Sequence, residues 1–349
     1  MKILHIIPSL ENGGAEGVLS RICINDKENS HLIICLSSHG FYSDYLKKNK
    51  ITIIYLNCKK KNLILKIFLL CYYFIKINPD IYQSWMYEAD FLCSIAKILT
   101  LSRKKLYWGI RHSNFSIKQL DFKKKFSLYI LGILSNIIPK KIISCSAEGI
   151  KHHIKFKYNY NKFIVIPNGY DPYHFKKSLF NKNKLRKKFK IFKDQIVLGM
   201  VGRFHPQKSH DILIKSLNYI KTSNFSLILV GKDINKNNKK LMKLIKKNKR
   251  KKYKIILLDS VNNINEIYNL IDINILSSSF GEGFPNVLAE GMLSESVTIS
   301  SNVGDAKIIV INRNYLFNLN NYFNLADLIN QKLENLSKFP RYGHMGRSK

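Results

Sequence analysis

Acidic residues are scarce in this sequence. Of its 349 residues, 23 are Asp or Glu and 58 are Lys or Arg, which gives a formal net charge of +35. Such an excess favours contact with anions, among them nucleic acids, anionic lipid headgroups and phosphorylated substrates. The chain is also rich in Lys, Asn and Ile throughout, so a general compositional bias explains much of the charge as solvated surface lysine. The charge alone leaves both interpretations open.

The sequence contains no C-x-x-C pair. Most of its six cysteines lie inside apolar runs, and all of them lie in the first half of the chain: Cys23, Cys35, Cys58, Cys71, Cys93 and Cys145. This pattern predicts buried free thiols in a reducing compartment, and it argues against disulfides and zinc ligands.

Long apolar runs are also missing. None reaches the roughly 20 residues that a transmembrane helix needs, and the nearest, at 63–77, is interrupted by Lys66 and Lys76. The apolar run after Met1 is too short for a signal peptide and contains Pro8. We therefore expect a cytoplasmic protein that at most rests on the inner face of the cytoplasmic membrane.

Short β-branched runs alternate with helix-length segments along the chain. The runs are continuously apolar, which is typical of strands buried on both faces of a parallel sheet. The predicted strands are 2–7, 31–36, 51–56, 81–85, 105–110, 141–145 and 163–166 in the first half, and 196–201, 226–230, 254–258, 273–277 and 296–300 in the second.

Turn-forming residues are dense at 167–172, and a lysine-rich polar segment follows them before a new strand begins near Gln195. The sequence thus predicts an α/β protein of two doubly wound, Rossmann-like domains, 1–169 and 170–349, with a cleft between them. Ligands bind such sheets outside the carboxyl ends of the strands. Residues that directly follow a strand are therefore the candidates for a functional site.

Two groups of residues that follow strands are suited to a diphosphate. Gly13 and Gly14 let the backbone approach a ligand and open a helix whose N-terminus favours phosphate, although a plain tight turn explains them equally. Arg203 and Lys208 follow the strand at 196–201, where a forked guanidinium and a point charge can converge on one diphosphate. The structural alternative is a pair of solvated basic side chains.

The segment 282–290 combines two acids with a helix start. Pro285 suits the first turn of a helix, and the amides of Asn286 and Val287 would point out of its N-terminus toward an anion. Glu290, about one turn further along, is placed to accept hydrogen bonds from a ribose. Glu282, in the preceding turn, is placed to meet a sugar. Two surface acids are the alternative, which the scarcity of acids disfavours.

His112 follows the strand at 105–110. A histidine in that position can bind a sugar hydroxyl or act at a reaction centre, whereas a lone histidine is more often structural.

Taken together, these motifs resemble those of retaining glycosyltransferase family 4, within the glycosyl transferases group 1. The residues that carry the resemblance are Gly13-Gly14-Ala15-Glu16, Pro167-Asn168-Gly169-Tyr170-Asp171, Gly202-Arg203 with Lys208, and the segment 282–290. The resemblance implies the GT-B fold, a nucleotide-sugar donor with UDP favoured, retention of the anomeric configuration, and neither a metal nor another cofactor.

The resemblance also implies a role for each candidate residue. Arg203 and Lys208 would neutralise the donor diphosphate, and Glu290 would hold the ribose. Glu282 and His112 would lie near the transferred sugar. Backbone contacts with the donor are implied for Gly13, Gly14, Gly283, Phe284, Asn286 and Val287.

Two features depart from the family pattern. Ser209 stands where a glycine often follows the lysine. Family members usually carry a further C-terminal helix that returns to the first domain, and this sequence ends about where that helix would begin. The resemblance therefore predicts a truncated C-terminal domain without the closing helix.

The predicted function is transfer of a hexose or N-acetylhexosamine to a glycan or lipid-linked acceptor in bacterial polysaccharide or glycan biosynthesis. Lysines at 59–61 and 123–125 flank apolar helices predicted near 63–77 and 126–138, and such surfaces can rest on anionic membranes. Buried helices with solvated lysines explain the same pattern.

Other functions are compatible with the same residues. A nucleotide-sugar epimerase shares the predicted fold, as does a phosphorylase, although we find no lysine site for pyridoxal phosphate. A non-catalytic protein that binds anions or nucleic acid would explain the charge. Nucleic acid is disfavoured as a partner because the sequence has no nucleic-acid module and its basic residues are dispersed.

Overall fold

The computed structural model describes residues 1–57, 62–111, 121–248, 253–310 and 312–334. The chain forms two compact units, Met1–Gly169 and Tyr170–Lys349. The division between them lies within the turn-rich segment that contains Asn168 and Asp171.

The N-terminal unit is a parallel sheet with helices between its strands. Its strands are β1 (Lys2–Ile7), β2 (Ser30–Cys35), β3 (Thr52–Tyr55), β4 (Ile81–Trp85), β5 (Lys105–Ile110), β6 (Lys141–Ser144) and β7 (Phe163–Val165). Its helices are α1 (Gly14–Asn25), α2 (Ser43–Lys48), α3 (Leu63–Ile77), α4 (Met86–Leu99), α5 (Phe122–Ser135) and α6 (Ala147–Ile154). The strands lie in the order β3-β2-β1-β4-β5-β6-β7.

The C-terminal unit repeats this design. Its strands are β8 (Ile196–Val201), β9 (Phe225–Val230), β10 (Lys254–Leu258), β11 (Ile273–Leu276), β12 (Val297–Ser301) and β13 (Leu316–Phe317). Its helices are α7 (Leu179–Lys188), α8 (His210–Ser216), α9 (Lys239–Asn248), α10 (Ile264–Leu270), α11 (Asn286–Leu293), α12 (Ala306–Ile309) and α13 (Tyr322–Glu334). The order is β10-β9-β8-β11-β12-β13, and the strand pairs are parallel.

The twelve strands predicted from apolar runs are all present, within one or two residues at each end. The additional strand is β13, whose two residues pair with Ser300 and Ser301. It was not predicted because two apolar residues among asparagines give no periodic signal. The helix predicted at 126–138 begins earlier, at Phe122, because the Asp121 carboxylate accepts a hydrogen bond from the Lys124 amide at 2.8 Å.

Each sheet separates two apolar cores. In the N-terminal unit, α3, α4 and α5 pack on one face through residues such as Leu70, Leu92 and Leu128. The helices α1 and α2 pack on the other face through Val18 and Leu46. The strands β1, β2 and β5 are largely buried on both faces, as the continuous apolar runs predict, whereas the edge strands β3 and β7 consist of partly buried and exposed residues. This layering leaves the carboxyl ends of the strands as the open edge of each sheet.

The cysteines in the described residues are free thiols, as predicted. Cys23, Cys35, Cys93 and Cys145 are buried and Cys71 is partly exposed, whereas Cys58 lies outside the described residues. None of the helices in this part of the chain combines the length and the apolar character that are required to cross a bilayer.

A chain of hydrogen bonds crosses the interior of the N-terminal unit. Trp85 Nε1 donates to His5 Nδ1 at 3.2 Å, and His5 Nε2 lies 2.9 Å from His31 Nδ1. The far end of the chain is His31 Nε2, which lies 3.1 Å from Asp26 Oδ2. An indole N–H can only donate and an ionised carboxylate can only accept. Both imidazoles must therefore be neutral and carry their proton on Nε2.

Protonation of His5 would break this chain, because Nδ1 would then become a donor that faces the indole N–H of Trp85. Burial, with the neighbouring His31 as the second cause, lowers the pKa of His5 to about 3. The native state therefore holds His5 neutral at pH values where an exposed histidine is protonated.

We expect acid to destabilise the N-terminal unit through His5. The pKa of His5 is 6.5 in the unfolded reference and about 3 in the native state, so the unfolded chain binds more protons between those values. Stability is therefore lost as the pH falls below 6.5, by about 2 kcal/mol between roughly pH 7 and pH 5. Trp85 and Trp108 both lie in this unit, so denaturant titrations followed by tryptophan fluorescence report its unfolding.

The matched variant is His5→Gln, whose amide can still accept from Trp85 but does not titrate. It should be less stable than the wild type at neutral pH and lose most of the acid-dependent decrease. An equal decrease in the variant and the wild type would show that His5 is not the responsible group.

Candidate functional site

The carboxyl edge of the C-terminal sheet brings together residues that follow two adjacent strands, β8 and β11. Lys208 Nζ lies 2.7 Å from Glu282 Oε1. The two side chains are only 14% and 9% exposed, so this ion pair is largely desolvated. The resemblance assigned Lys208 to the donor diphosphate and Glu282 to the transferred sugar, and the structure shows that the two side chains are in direct contact.

Two further side chains hold the Glu282 carboxylate. Its Oε1 accepts a hydrogen bond from Ser278 Oγ at 2.7 Å and a longer one from Gln207 Nε2 at 3.4 Å. Gln207 also accepts a hydrogen bond from Arg203 Nη2, at 3.2 Å, through its amide oxygen. A continuous network therefore joins Arg203, Gln207, Glu282 and Lys208, and it places both predicted cations at one edge.

Glycine is required at two positions of the loops that carry this network. Gly304 has a φ of +53°, and a Cβ there would lie 2.2 Å from the backbone oxygen of Glu282. Gly281 has a φ of +75°, and a Cβ there would lie 3.0 Å from the Gln207 side chain. The amide of Asp305 then donates to the Gly283 oxygen at 3.1 Å, which fixes the loop after β11 against the loop after β12.

The helix α11 begins at Asn286, directly after this loop, and Pro285 is its N-cap residue. Among the described residues, no side chain caps its first turn, so its N-terminus keeps the positive end of the helix dipole toward the edge. Gly291 lets the helix lie close to β11, because a Cβ there would meet Asn274 Nδ2 at 2.3 Å. The same Nδ2 donates to the Val287 oxygen at 2.8 Å.

Glu290, on α11, is oriented by Tyr268. The Tyr268 hydroxyl donates to Glu290 Oε2 at 2.9 Å, and the ring of Tyr268 is fully buried. Burial, followed by the negative charge of Glu290, raises the pKa of Tyr268 well above its usual value. Tyr268 therefore remains a hydrogen-bond donor at any physiological pH.

Tyr170 connects the turn between the units to the start of α11. Its hydroxyl donates to Asn286 Oδ1 at 2.6 Å, and its ring stacks near Phe284 at a centroid distance of 6.3 Å. The motif Pro167-Asn168-Gly169-Tyr170-Asp171, which supported the family resemblance, thus supplies a residue that positions the Gly-Phe-Pro-Asn segment.

The histidines that follow β8 do not add positive charge at neutral pH. Burial, with Lys208 as the second cause, lowers the pKa of His210 to about 4. Burial and the charges of Arg203 and Lys208 also lower the pKa of His205. The positive charge that these loops offer to an anion therefore resides on Arg203 and Lys208.

A pocket of about 420 Å³ lies at the ends of β8 and β9. It is lined by Phe204, Asp233, Asn235, Asn237, Asn238 and Lys240. Phe204 follows Arg203 in the chain, and its amide donates to the Lys232 oxygen at 2.9 Å. The pocket is thus continuous with the loop that carries Arg203, and its lining is rich in amide side chains.

The carboxyl edge of the N-terminal sheet carries the predicted Gly-Gly turn. Gly13 is the N-cap residue of α1, which has no capping side chain among the described residues. A Cβ at Gly13 would lie 2.2 Å from Glu16 Oε2, so a larger residue there would displace the Glu16 carboxylate. Gly14 is exposed at the first turn of the helix.

Two residues at the same edge had not been predicted. Arg111 lies over the Trp85 ring, with its guanidinium carbon 4.5 Å from the centroid. Its Nη1 donates to Asn168 Oδ1 at 2.8 Å. Met86, which follows Trp85, has a φ of +68°, a strained conformation of the kind that concentrates at functional sites. His112, the predicted sugar-side histidine, lies outside the described residues.

Most of the predicted residues of the C-terminal unit lie together in space. Lys208 and Glu282 touch, Arg203 joins them through Gln207, and Gly283, Phe284, Asn286, Val287 and Glu290 lie in the continuous segment around the start of α11. Sequence reasoning missed Gln207, Ser278, Tyr268 and Arg111. The position of Gln207 between Arg203 and Lys208 was a usable signal, whereas Tyr268 lies on a separate helix and gave none.

Comparisons with known proteins agree with this architecture. Residues 181–348 match the family model for glycosyl transferases group 1. The chain is 26% identical over 286 residues to the Capsular polysaccharide biosynthesis glycosyltransferase CapM of Staphylococcus aureus, covering 79% of this chain and 73% of CapM. These matches confirm the resemblance to group 1, and the narrower assignment to family 4 stays a prediction.

Two solved structures show the same fold. Anabaena Alr3699/HepE, in complex with UDP and glucose, superposes with a TM-score of 0.86 at 21% identity and covers 100% of this chain and 94% of its own. A glycosyltransferase from Rickettsia africae has a TM-score of 0.81 at 21% identity and covers 99% of this chain and 92% of its own. They confirm the predicted GT-B class of two Rossmann-like domains.

The Lys208–Glu282 pair generates a prediction about stability. Lys208→Met leaves a buried carboxylate without its cation, which we expect to lower the free energy of unfolding of the C-terminal unit by about 3 kcal/mol. Adding Glu282→Gln should recover most of that loss. Hydrogen–deuterium exchange of peptides from β8 and β11 measures the effect within this unit.

The control is Lys215→Met, which removes an ion pair with Asp211 whose side chains are 40% and 42% exposed. That change should cost less than about 0.5 kcal/mol. If the losses in the free energy of unfolding caused by Lys208→Met and Glu282→Gln simply add in the double variant, the two residues are not a coupled buried pair.

Proposed function

We propose, from the match of residues 181–348 to the family model for glycosyl transferases group 1, that this chain transfers a sugar from a nucleotide diphosphate sugar to an acceptor. The observation that carries the proposal is the network of Arg203, Gln207, Glu282 and Lys208 at the carboxyl edge of a doubly wound sheet. Ligands of such sheets bind at that edge, and the network offers an anion two fixed cations.

The diphosphate of the donor would bind Arg203 and Lys208. An ammonium group has three N–H donors, so Lys208 can hold Glu282 and a phosphate oxygen at the same time. The guanidinium of Arg203 is exposed and uses Nη2 for Gln207, and its fork is suited to two phosphate oxygens. Both cations would stabilise the charge that develops on the leaving diphosphate.

The remaining donor groups would bind along α11. The N-terminus of the helix, with the amides of Asn286 and Val287, favours a phosphate or the sugar. The carboxylate of Glu290, oriented by Tyr268, would accept hydrogen bonds from the ribose hydroxyls. Glu282, which is paired with Lys208, would accept a hydrogen bond from the transferred sugar.

The N-terminal unit would supply the acceptor side. Gly13 and Gly14, at the start of α1, would lie against the diphosphate or the acceptor, and His112 would lie near the transferred sugar. We further propose that transfer retains the anomeric configuration and needs no metal, with the leaving phosphate taking the acceptor's proton. Proton NMR of the glycosidic product identifies the anomer, and an inverted product would overturn the retaining mechanism.

We propose UDP-hexose as the donor class and a glycan or lipid-linked sugar as the acceptor class. The donor proposal is supported by the UDP and glucose complex of Alr3699/HepE. The acceptor proposal is supported by CapM, whose name places it in capsular polysaccharide biosynthesis. A thermal-shift panel of nucleotide sugars tests the donor class directly.

Arg203 and Glu290 should have different kinetic effects. We expect Arg203→Ala to lower the turnover of UDP-glucose about a hundredfold or more, because it removes charge stabilisation of the leaving diphosphate. We expect Glu290→Ala mainly to weaken UDP binding, about tenfold, because it removes the ribose contact. Release of UDP measures turnover, and calorimetry measures binding.

The controls are Arg313→Ala and Glu266→Ala, which alter an exposed arginine and an acid of the same unit outside the network. Both should transfer sugar and bind UDP as the wild type does. Wild-type turnover in Arg203→Ala together with wild-type binding in Glu290→Ala would refute the site.

A further inference from the structure

The outer side of α3 carries an exposed apolar stripe. Ile64, Phe68, Tyr72 and Ile75 are 68%, 66%, 51% and 70% exposed, and their spacing of three or four residues places them on one side of the helix. The opposite side packs into the core through Leu70 and Phe74. A surface helix normally has its polar side toward solvent, whereas α3 is apolar on both sides.

The helix α5 repeats this arrangement. Phe122, Phe126, Tyr129 and Ile133 are 83%, 58%, 38% and 51% exposed and again recur every three or four residues. The buried side packs through Leu128 and Leu131 into the same core that receives α3 and α4. The two stripes therefore lie on the outer side of one helix layer.

The charged residues of this surface are mostly cationic. Neither α3 nor α5 contains an acidic residue, and Lys123, Lys124 and Lys125 stand in the first turn of α5. Asp121, the N-cap residue of α5, is paired with Lys124 at 3.7 Å. Lys66 does not contribute, because it is buried and bonded to Glu88.

We propose that these two stripes and the three lysines form a lipid face that docks on an anionic bilayer. Phenylalanine, tyrosine and isoleucine side chains would enter the boundary between headgroups and acyl chains, and the lysines would bind lipid phosphates. A second copy of the chain fits less well. In the described part of this surface Asp121 is already paired with Lys124, so two copies would bring like charges together.

The lipid face lies near the edge of the sheet that the proposed function assigns to the acceptor. A helix that follows a parallel strand begins at the carboxyl edge of the sheet, so the starts of α3 and α5 lie toward the edge that carries Gly13 and Arg111. A bilayer under the lipid face would hold a lipid-linked acceptor near that edge. This step rests on the proposed function, whereas the docking itself does not.

Co-sedimentation of the full chain with vesicles tests the docking. The vesicles consist of phosphatidylcholine with or without phosphatidylglycerol. One variant combines Phe68→Ser with Phe126→Ser, and a second combines Lys123→Ser, Lys124→Ser and Lys125→Ser. We expect the wild type to bind only the anionic vesicles. The phenylalanine pair should lower the partition coefficient at least about tenfold, and the lysine set about a hundredfold.

The matched control is Phe180→Ser with Phe192→Ser, two phenylalanines that are 76% and 72% exposed in the C-terminal unit. It should bind vesicles as the wild type does. Circular dichroism and gel filtration accompany each sample. Equal binding by the stripe variant and the control, no binding by the wild type, or a dimer that dissociates on substitution of Phe68 and Phe126 would each overturn the lipid face.

UDP calorimetry on the same samples separates this inference from the proposed function. Vesicle binding without UDP binding would leave the lipid face standing and count against the glycosyl transfer site. Equal UDP binding by the wild type and the variant with Phe68→Ser and Phe126→Ser, with no vesicle binding by either, would overturn the lipid face and leave the proposed function standing.

Discussion

The ion pair between Lys208 and Glu282 is the interaction on which the candidate site depends. It joins the loops that follow β8 and β11, which are neighbouring strands of one sheet although the two residues are 74 positions apart in the chain. Because the pair is largely buried, removing either member would leave an uncompensated charge in a medium of low polarity. Ser278 and Gln207 also donate hydrogen bonds to Glu282, so contacts within the protein fix the geometry of this edge. Gly304 is needed because a Cβ there would meet the backbone of Glu282, and Gly281 is needed because its φ is positive.

Preorganisation of this kind is what stabilisation of a leaving diphosphate requires. Donors that are already fixed need no reorganisation when charge develops. Neutral His205 and His210 leave the local positive charge on Arg203 and Lys208, and the uncapped start of α11 adds the end of a helix dipole. Glu290 is also held in place, because it accepts a hydrogen bond from the hydroxyl of the fully buried Tyr268. The candidate site therefore contains two pairs of side chains, Lys208 with Glu282 and Tyr268 with Glu290, in which each partner fixes the position of the other.

The sequence predicted the sheets well, because continuous apolar runs such as that of β9 can be satisfied only by burial on both faces. It also predicted that Arg203, Lys208 and the segment 282–290 each follow a strand, and the structure has them after β8 and β11. It did not show that Lys208 neutralises Glu282, since a contact across 74 residues leaves no local pattern. Tyr268, which lies on a separate helix, was missed for the same reason, whereas the position of Gln207 between Arg203 and Lys208 was a local signal that the prediction did not use. The sequence left open whether the apolar residues of α3 and α5 are buried or exposed, because periodicity identifies an apolar face but not what covers it.

The most direct test of the account is a structure of the chain with bound UDP. It predicts diphosphate oxygens within hydrogen-bonding distance of Arg203 and Lys208, with the Lys208–Glu282 contact retained and the ribose hydroxyls on Glu290. UDP bound with its diphosphate away from both cations, or a diphosphate that displaces Glu282 from Lys208, would contradict it.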